Sequence, residues 1–339
     1  PQSQSNLACP TMSERVKAGV VKAEVKARVK AEVKAEVKVV KAEEGGKIKF
    51  EFKKVKLEEP EPFAAFARPL PEECRAAVQL LGNLHGTPTP GAVTMPVLDS
   101  LVRTILSQNT TDKNSRQAFA SLKIAFPTWR QVHEAECGLV EESIKFGGLA
   151  EIKTRNIQTI LAYLLQEHAD KCPQGEPSYE WLREMPTSAC KAELAKLKGV
   201  GPKTVSCVLM FNMQRPEFPV DTHVWHIAKM LRWVPHCTAE SCYAHLNRRV
   251  PDECKYALHV LLVEHGKRCT RCAKGGKLQL PEEGNCPLLG FEEKVVDFVK
   301  MGTSPTKEYV PWFVKTEECS MMGKEGGKGK GKRKVVKVE

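Results

Sequence analysis

The 339-residue chain contains no run of about eighteen apolar residues, so it offers no membrane-spanning helix. Near its start it also lacks the apolar core of a secretory signal peptide. The first residue is Pro1, not Met, which leaves room for a missing leader. Regular cysteine spacing is missing too. The thirteen cysteines are odd in number, and some, such as Cys207 in Val205-Ser206-Cys207-Val208-Leu209, sit inside apolar helical patterns. This argues against a disulfide framework and for reduced intracellular thiols. Strand-like alternation is confined to residues 47–55.

Positive charge is abundant. The net charge of +11 and pI of about 9.0 favour a polyanionic partner, nucleic acid before an acidic membrane surface. Much of the surplus lies at the ends. Residues 21–36 repeat Val-Lys-Ala-Glu, with one Val-Lys-Ala-Arg, at a period of four that builds no broad apolar face. The segment reads as a low-complexity arm, with non-specific contact to nucleic acid as the functional alternative. Lys328, Lys330, Lys332, Arg333 and Lys334 form a basic cluster, read as a nuclear address or a phosphate-binding tail. The chain is therefore divided into an arm (1–61), a folded region (62–300) and a flexible basic tail (301–339). The nucleus is the expected compartment.

Within the folded region the apolar spacing is helical. It predicts helices over 97–107, 115–125, 152–165, 188–197, 204–213 and 224–231, with prolines at the breaks. The expected fold class is all-α.

Leu197-Lys198-Gly199-Val200-Gly201-Pro202-Lys203-Thr204 lies between two of these helices. Glycines allow positive φ and a close approach of backbone to phosphate. The amides opening the second helix attract an anion. Val200 would pin the hairpin between its helices. Seventeen residues separate Lys203 from Asp221, in Pro219-Val220-Asp221-Thr222-His223-Val224. Lys203 reads as a nucleophile or a phosphate contact. Asp221 reads as a catalytic carboxylate, as a helix N-cap, or as both.

This pattern resembles the helix-hairpin-helix DNA glycosylase superfamily, endonuclease III branch. Other segments agree in order: Leu106-Ser107-Gln108-Asn109-Thr110-Thr111-Asp112, Gly148-Leu149 with Lys153 and Ile157, and His259, Leu262 and His265-Gly266. The likeness spans about residues 95–290. It implies two helical lobes with DNA in the cleft between them. One is a six-helix barrel, about 98–214. The other pairs about 62–97 with about 215–300. It implies that Gly199, Val200, Gly201, Thr204 and Lys153 serve DNA binding. Asn109, with Gln108 beside it, would fill the hole left by a flipped nucleotide, and helix-end capping is the alternative for both amides.

The resemblance further implies a bifunctional DNA N-glycosylase and AP lyase of base-excision repair, acting on double-stranded DNA with oxidised pyrimidines or abasic sites; a monomer is the expected state. Lys203 would attack the sugar and Asp221 would assist. A protonated lysine needs desolvation or cationic neighbours to become a nucleophile. The alternatives are a glycosylase for mismatched or methylated bases, or a non-catalytic DNA-binding protein. One departure is His226, where the family often has arginine.

The family commonly carries four cysteines around an iron–sulfur cluster. This chain offers Cys269, Cys272 and Cys286, with Cys254, His265 or Cys319 to complete the set. A [4Fe-4S] cluster, zinc and a metal-free loop all remain open, and the basic side chains around it suit the DNA backbone.

Overall fold

The computed structural model describes residues 61–92 and 95–301. The repeat arm, the alternation at 47–55, Cys319 and the basic tail lie outside them. Among the described residues the protein is all helical. None of these helices is long and apolar enough to cross a membrane.

Helix α1 (Pro71–His85) opens with proline at its first position, and the Glu73 carboxylate accepts the Leu70 amide at 2.7 Å. Helix α2 (Val97–Leu106) buries Val97, Leu98, Leu101, Val102, Ile105 and Leu106, the one-sided spacing of a helix laid on a core. Thr111 caps α3 (Asp112–Ala125). Two short helices follow, α4 (Trp129–Glu134) and α5 (Cys137–Ile144), then α6 (Ala150–Glu167) and α7 (Thr187–Ala195). After the hairpin comes α8 (Pro202–Cys207). The C-terminal set is α9 (Thr222–Met230), α10 (Ala239–Arg249), α11 (Asp252–Arg268) and α12 (Phe291–Lys300).

The predicted helix over 204–213 is not uniform. It runs from α8 into a π turn, Val208–Asn212, in which the Met213 amide donates to Val208 O at 3.1 Å. The wider turn sets Phe211 on the surface, edge-on to Tyr256 and His259 of α11.

Two hydrophobic cores result. The first is built from residues between Val97 and Leu209, with Leu101, Ile105, Ile157, Leu161 and Leu209 fully enclosed. The second joins α1 to the C-terminal helices through Ala77, Leu81, Phe218, Val224, Trp233, Leu258 and Leu262. Helix α1 packs along α11 and against α12, so the ends of the described region meet in one body.

Polar ties cross between the two bodies. Buried Glu217 accepts from Ser206 Oγ at 2.9 Å and Tyr243 Oη at 2.8 Å, and it pairs with Lys191. Lys267 Nζ on α11 donates to Asp112 Oδ2 on α3 at 3.0 Å. That pairing, together with Lys203 nearby, outweighs burial and holds the Asp112 carboxyl below its usual range.

Candidate active site

The hairpin begins as α7 unwinds. Gly199 turns the chain at φ 79°, and a Cβ there would fall 2.3 Å from Asn156 Nδ2. Gly201 differs: its φ is −97°, and nothing lies within 4 Å of its hypothetical Cβ. The Gly201 carbonyl accepts the Val205 amide at 3.0 Å, and Pro202 takes the first helical position. The amides of Lys203 and Thr204 fall in the first turn, ahead of any intrahelical acceptor. Val200 is buried beneath the turn, while Gly199, Gly201 and Lys203 are exposed.

Asp221 caps α9. Its Oδ1 accepts the amides of His223 at 2.9 Å and Val224 at 2.8 Å. These two bonds fix the carboxylate, and Oδ2 makes no hydrogen bond to the described residues. His259 holds the preceding loop: its Nδ1–H donates to the Pro219 carbonyl at 2.8 Å.

Two side chains register both charges of the candidate pair. Burial pushes the Cys207 thiol up to about 11, with Lys203 opposing the shift and Asp221 reinforcing it. Burial draws His259 below its usual value, against Asp221 and the Pro219 carbonyl and with Lys203 and Lys267. Both line a cleft of about 680 Å³ between the two bodies, bounded by α2, α3, the π turn and α11. Arg103, Arg116 and Lys267 supply positive charge along it.

Several other expected site residues take different parts. Lys153 is corrected from a DNA contact to an internal strut. The residue is 3% exposed, and its Nζ donates to the carbonyls of Leu106 and Gly147, each at 2.8 Å. A charge enclosed by its own protein's acceptors does not reach a phosphate. Burial draws its pKa down. The Thr204 hydroxyl is likewise turned inward and accepts from Gln108 Nε2 at 3.1 Å. Gln108 Nε2 also donates to Gly199 O at 3.0 Å, so Gln108 braces the hairpin. Asn109 stands exposed at φ 53°, at the turn between α2 and α3.

The cysteine group lies at the end of α11, in the second body. Cys269, Cys272, Cys286 and His265 each present a ligand atom, all within 4.8 Å of one another. Cys254 is elsewhere, buried beside Cys74.

His259, Cys207 and Phe211 were not expected at the site. Only the π turn and the packing of α11 bring them to the cleft. His259 alone carried a sequence signal, as part of the stretch that precedes the cysteines.

The sequence profile of HhH-GPD superfamily base excision DNA repair proteins matches residues 102–252. An Arabidopsis thaliana protein assigned as a DNA glycosylase is 42% identical over 269 residues, which cover 69% of this chain and 90% of that one. The DNA glycosylase/AP lyase ROS1 of the same plant is 31% identical over 176 residues, 47% of this chain and 12% of that protein. A trapped endonuclease III–DNA covalent intermediate shares the fold with a TM-score of 0.51 at 25% identity, over 65% of this chain and 94% of that one.

Proposed function

The chain belongs to the HhH-GPD superfamily of base excision DNA repair proteins, and we propose that it is a bifunctional DNA N-glycosylase and AP lyase. The observation that carries this reading is the placement of Lys203. It is exposed directly after the hairpin, in the first turn of α8, the helix whose Cys207 lines the cleft.

A base stacked in a duplex is out of reach, so its nucleotide turns out of the helix at a cost of about a few kcal/mol. The hairpin amides hold the phosphate backbone, with Gly201 leaving room for it. Asn109, exposed at its turn, enters the stack. The cleft receives the base.

The Lys203 amine attacks C1′ of the sugar. A bond forms from Nζ to C1′ as the bond from C1′ to the base breaks, and the base leaves with the electron pair and takes up a proton. Loss of the lysine protons and opening of the sugar ring give a Schiff base. Removal of a 2′ proton then expels the 3′ phosphate by β-elimination. Asp221, fixed by its two amide bonds, stabilises the positive charge developing on the sugar and assists proton transfer. Because Lys203 is exposed, its desolvation comes with the bound DNA.

Oxidised pyrimidines and abasic sites in double-stranded DNA are the proposed substrates, on the likeness to endonuclease III. Mismatched or methylated bases are the second class. The proposed compartment, the nucleus, rests on the basic cluster at 328–334, and the proposed state is a monomer. None of the proposed steps uses the cysteine group.

Asp221→Asn separates chemistry from folding. Asparagine caps a helix about as well as aspartate. The variant is expected to fold and bind lesion duplexes as the wild type does, with cutting slowed about a hundredfold or more. Duplexes bearing single lesions, scored for base release and for nicks without alkali, provide the measurement. Unchanged cutting by the variant would remove Asp221 from the mechanism.

A further inference from the structure

We propose that His265, Cys269, Cys272 and Cys286 form a closed mononuclear zinc site, in place of the iron–sulfur cluster that the family resemblance implies. The spacing of the ligand atoms carries the argument. A cubane cluster sets its four ligand sulfurs about 6 Å apart, because four irons stand between them, and it takes four thiolates as a rule. Here there are three thiols and an imidazole, and no ligand atom is more than 4.8 Å from another. The group does not fit a cubane.

It does fit one tetrahedral ion. With zinc–sulfur bonds of about 2.3 Å and zinc–nitrogen bonds of about 2.0 Å, two ligand sulfurs lie about 3.8 Å apart and sulfur lies about 3.5 Å from nitrogen. Cys272 Sγ is 3.7 Å from Cys286 Sγ, and Cys286 Sγ is 3.6 Å from His265 Nε2.

The surroundings are those of a ligand shell. His265 Nδ1 shares a 3.0 Å hydrogen bond with His85 Nε2, and His85 Nδ1 lies 3.4 Å from the Glu283 carboxylate. If both Nδ1 atoms carry hydrogen, His265 donates to His85 and His85 donates to Glu283. That leaves the Nε2 lone pair of His265 facing the thiols, the tautomer a metal requires. His265, Cys269 and Cys272 are buried. Four protein ligands close the site, which is the structural arrangement and not the catalytic one.

The ion would fasten the loop after α11 to α11 itself and, through His85, to α1. The Lys274–Gly276 turn of that loop packs against α9, whose N-terminus carries Asp221. This inference stands apart from the Lys203 chemistry.

The test is metal analysis of the full-length protein, purified without chelator from cells supplied with both iron and zinc. The expected result is one zinc per chain, no acid-labile sulfide and no visible absorption. Cobalt exchanged into the wild type should show thiolate-to-cobalt charge transfer and tetrahedral ligand-field bands. Cys286→Ser and His265→Ala should each lower the zinc content. His85→Ala should keep the stoichiometry but lose zinc to a competing chelator about 10–100-fold more readily. Iron with sulfide would overturn the proposal, as would a metal-free protein with Cys272 and Cys286 joined as a disulfide. The wild-type analysis decides even if a variant fails to fold.

Discussion

Gly199 and Gly201 lie two residues apart and are glycine for different reasons. At Gly199 the fold demands it: the backbone is left-handed and Asn156 occupies the Cβ position. Gly199→Ala is expected to cost about 2 kcal/mol or more, measured by chemical denaturation. At Gly201 the free protein has room for a methyl group at an ordinary φ. Gly201→Ala should therefore leave stability unchanged and weaken binding to abasic-site DNA, because the added carbon stands between backbone and phosphate. Equal stability losses at the two positions would contradict this division. The turn before Lys203 and the N-cap role of Asp221 were legible in the sequence because a glycine hairpin and a capping aspartate are local patterns. Lys153 was not, since its spacing on α6 says nothing of the carbonyls of Leu106 and Gly147 that close around it.

The helices of the first core were legible as elements wherever one face is strongly apolar, as in α2. The short α4 and α5 were not named, because six and eight residues hold too few turns to show a period. The π turn was also invisible, since one extra residue in a turn barely disturbs an apolar run. Two side chains test how elements are joined. Glu217→Ala removes the acceptor of buried Ser206 and the partner of Lys191 at the junction of the two bodies. A loss of about 3 kcal/mol in chemical denaturation is expected. Glu193, buried between α6 and α7, accepts from Tyr163 at 2.8 Å and Lys196 at 2.7 Å. Burial pushes its carboxyl up, but those bonds and the charges of Lys196 and His168 outweigh it, so its pKa is lowered. A lowered carboxyl pKa lends stability above the unfolded value of about 4.3 and loses it as pH falls through the folded value. Thermal melts from pH 6 downward should show this loss in the wild type, and Glu193→Gln should lack that component.

At the scale of the whole molecule, helical class was readable from spacing, while the partnership of α1 with α9–α12 was not. Composition and periodicity say nothing of a long-range pairing such as Leu81 with Leu258 and Leu262 in one core. The same folding-back brings His85 to His265, which the structure places beside the three cysteines whose fourth partner was open in sequence. The account holds that Lys203, exposed at the start of α8, forms a covalent bond with DNA. Borohydride reduction during incubation with a labelled abasic-site duplex tests this most directly. The wild type should be captured as a stable protein–DNA adduct. Lys203→Ala, altered at an exposed position, should bind the duplex without being captured. Absence of an adduct with the wild type, or an equal yield from Lys203→Ala, would contradict the account.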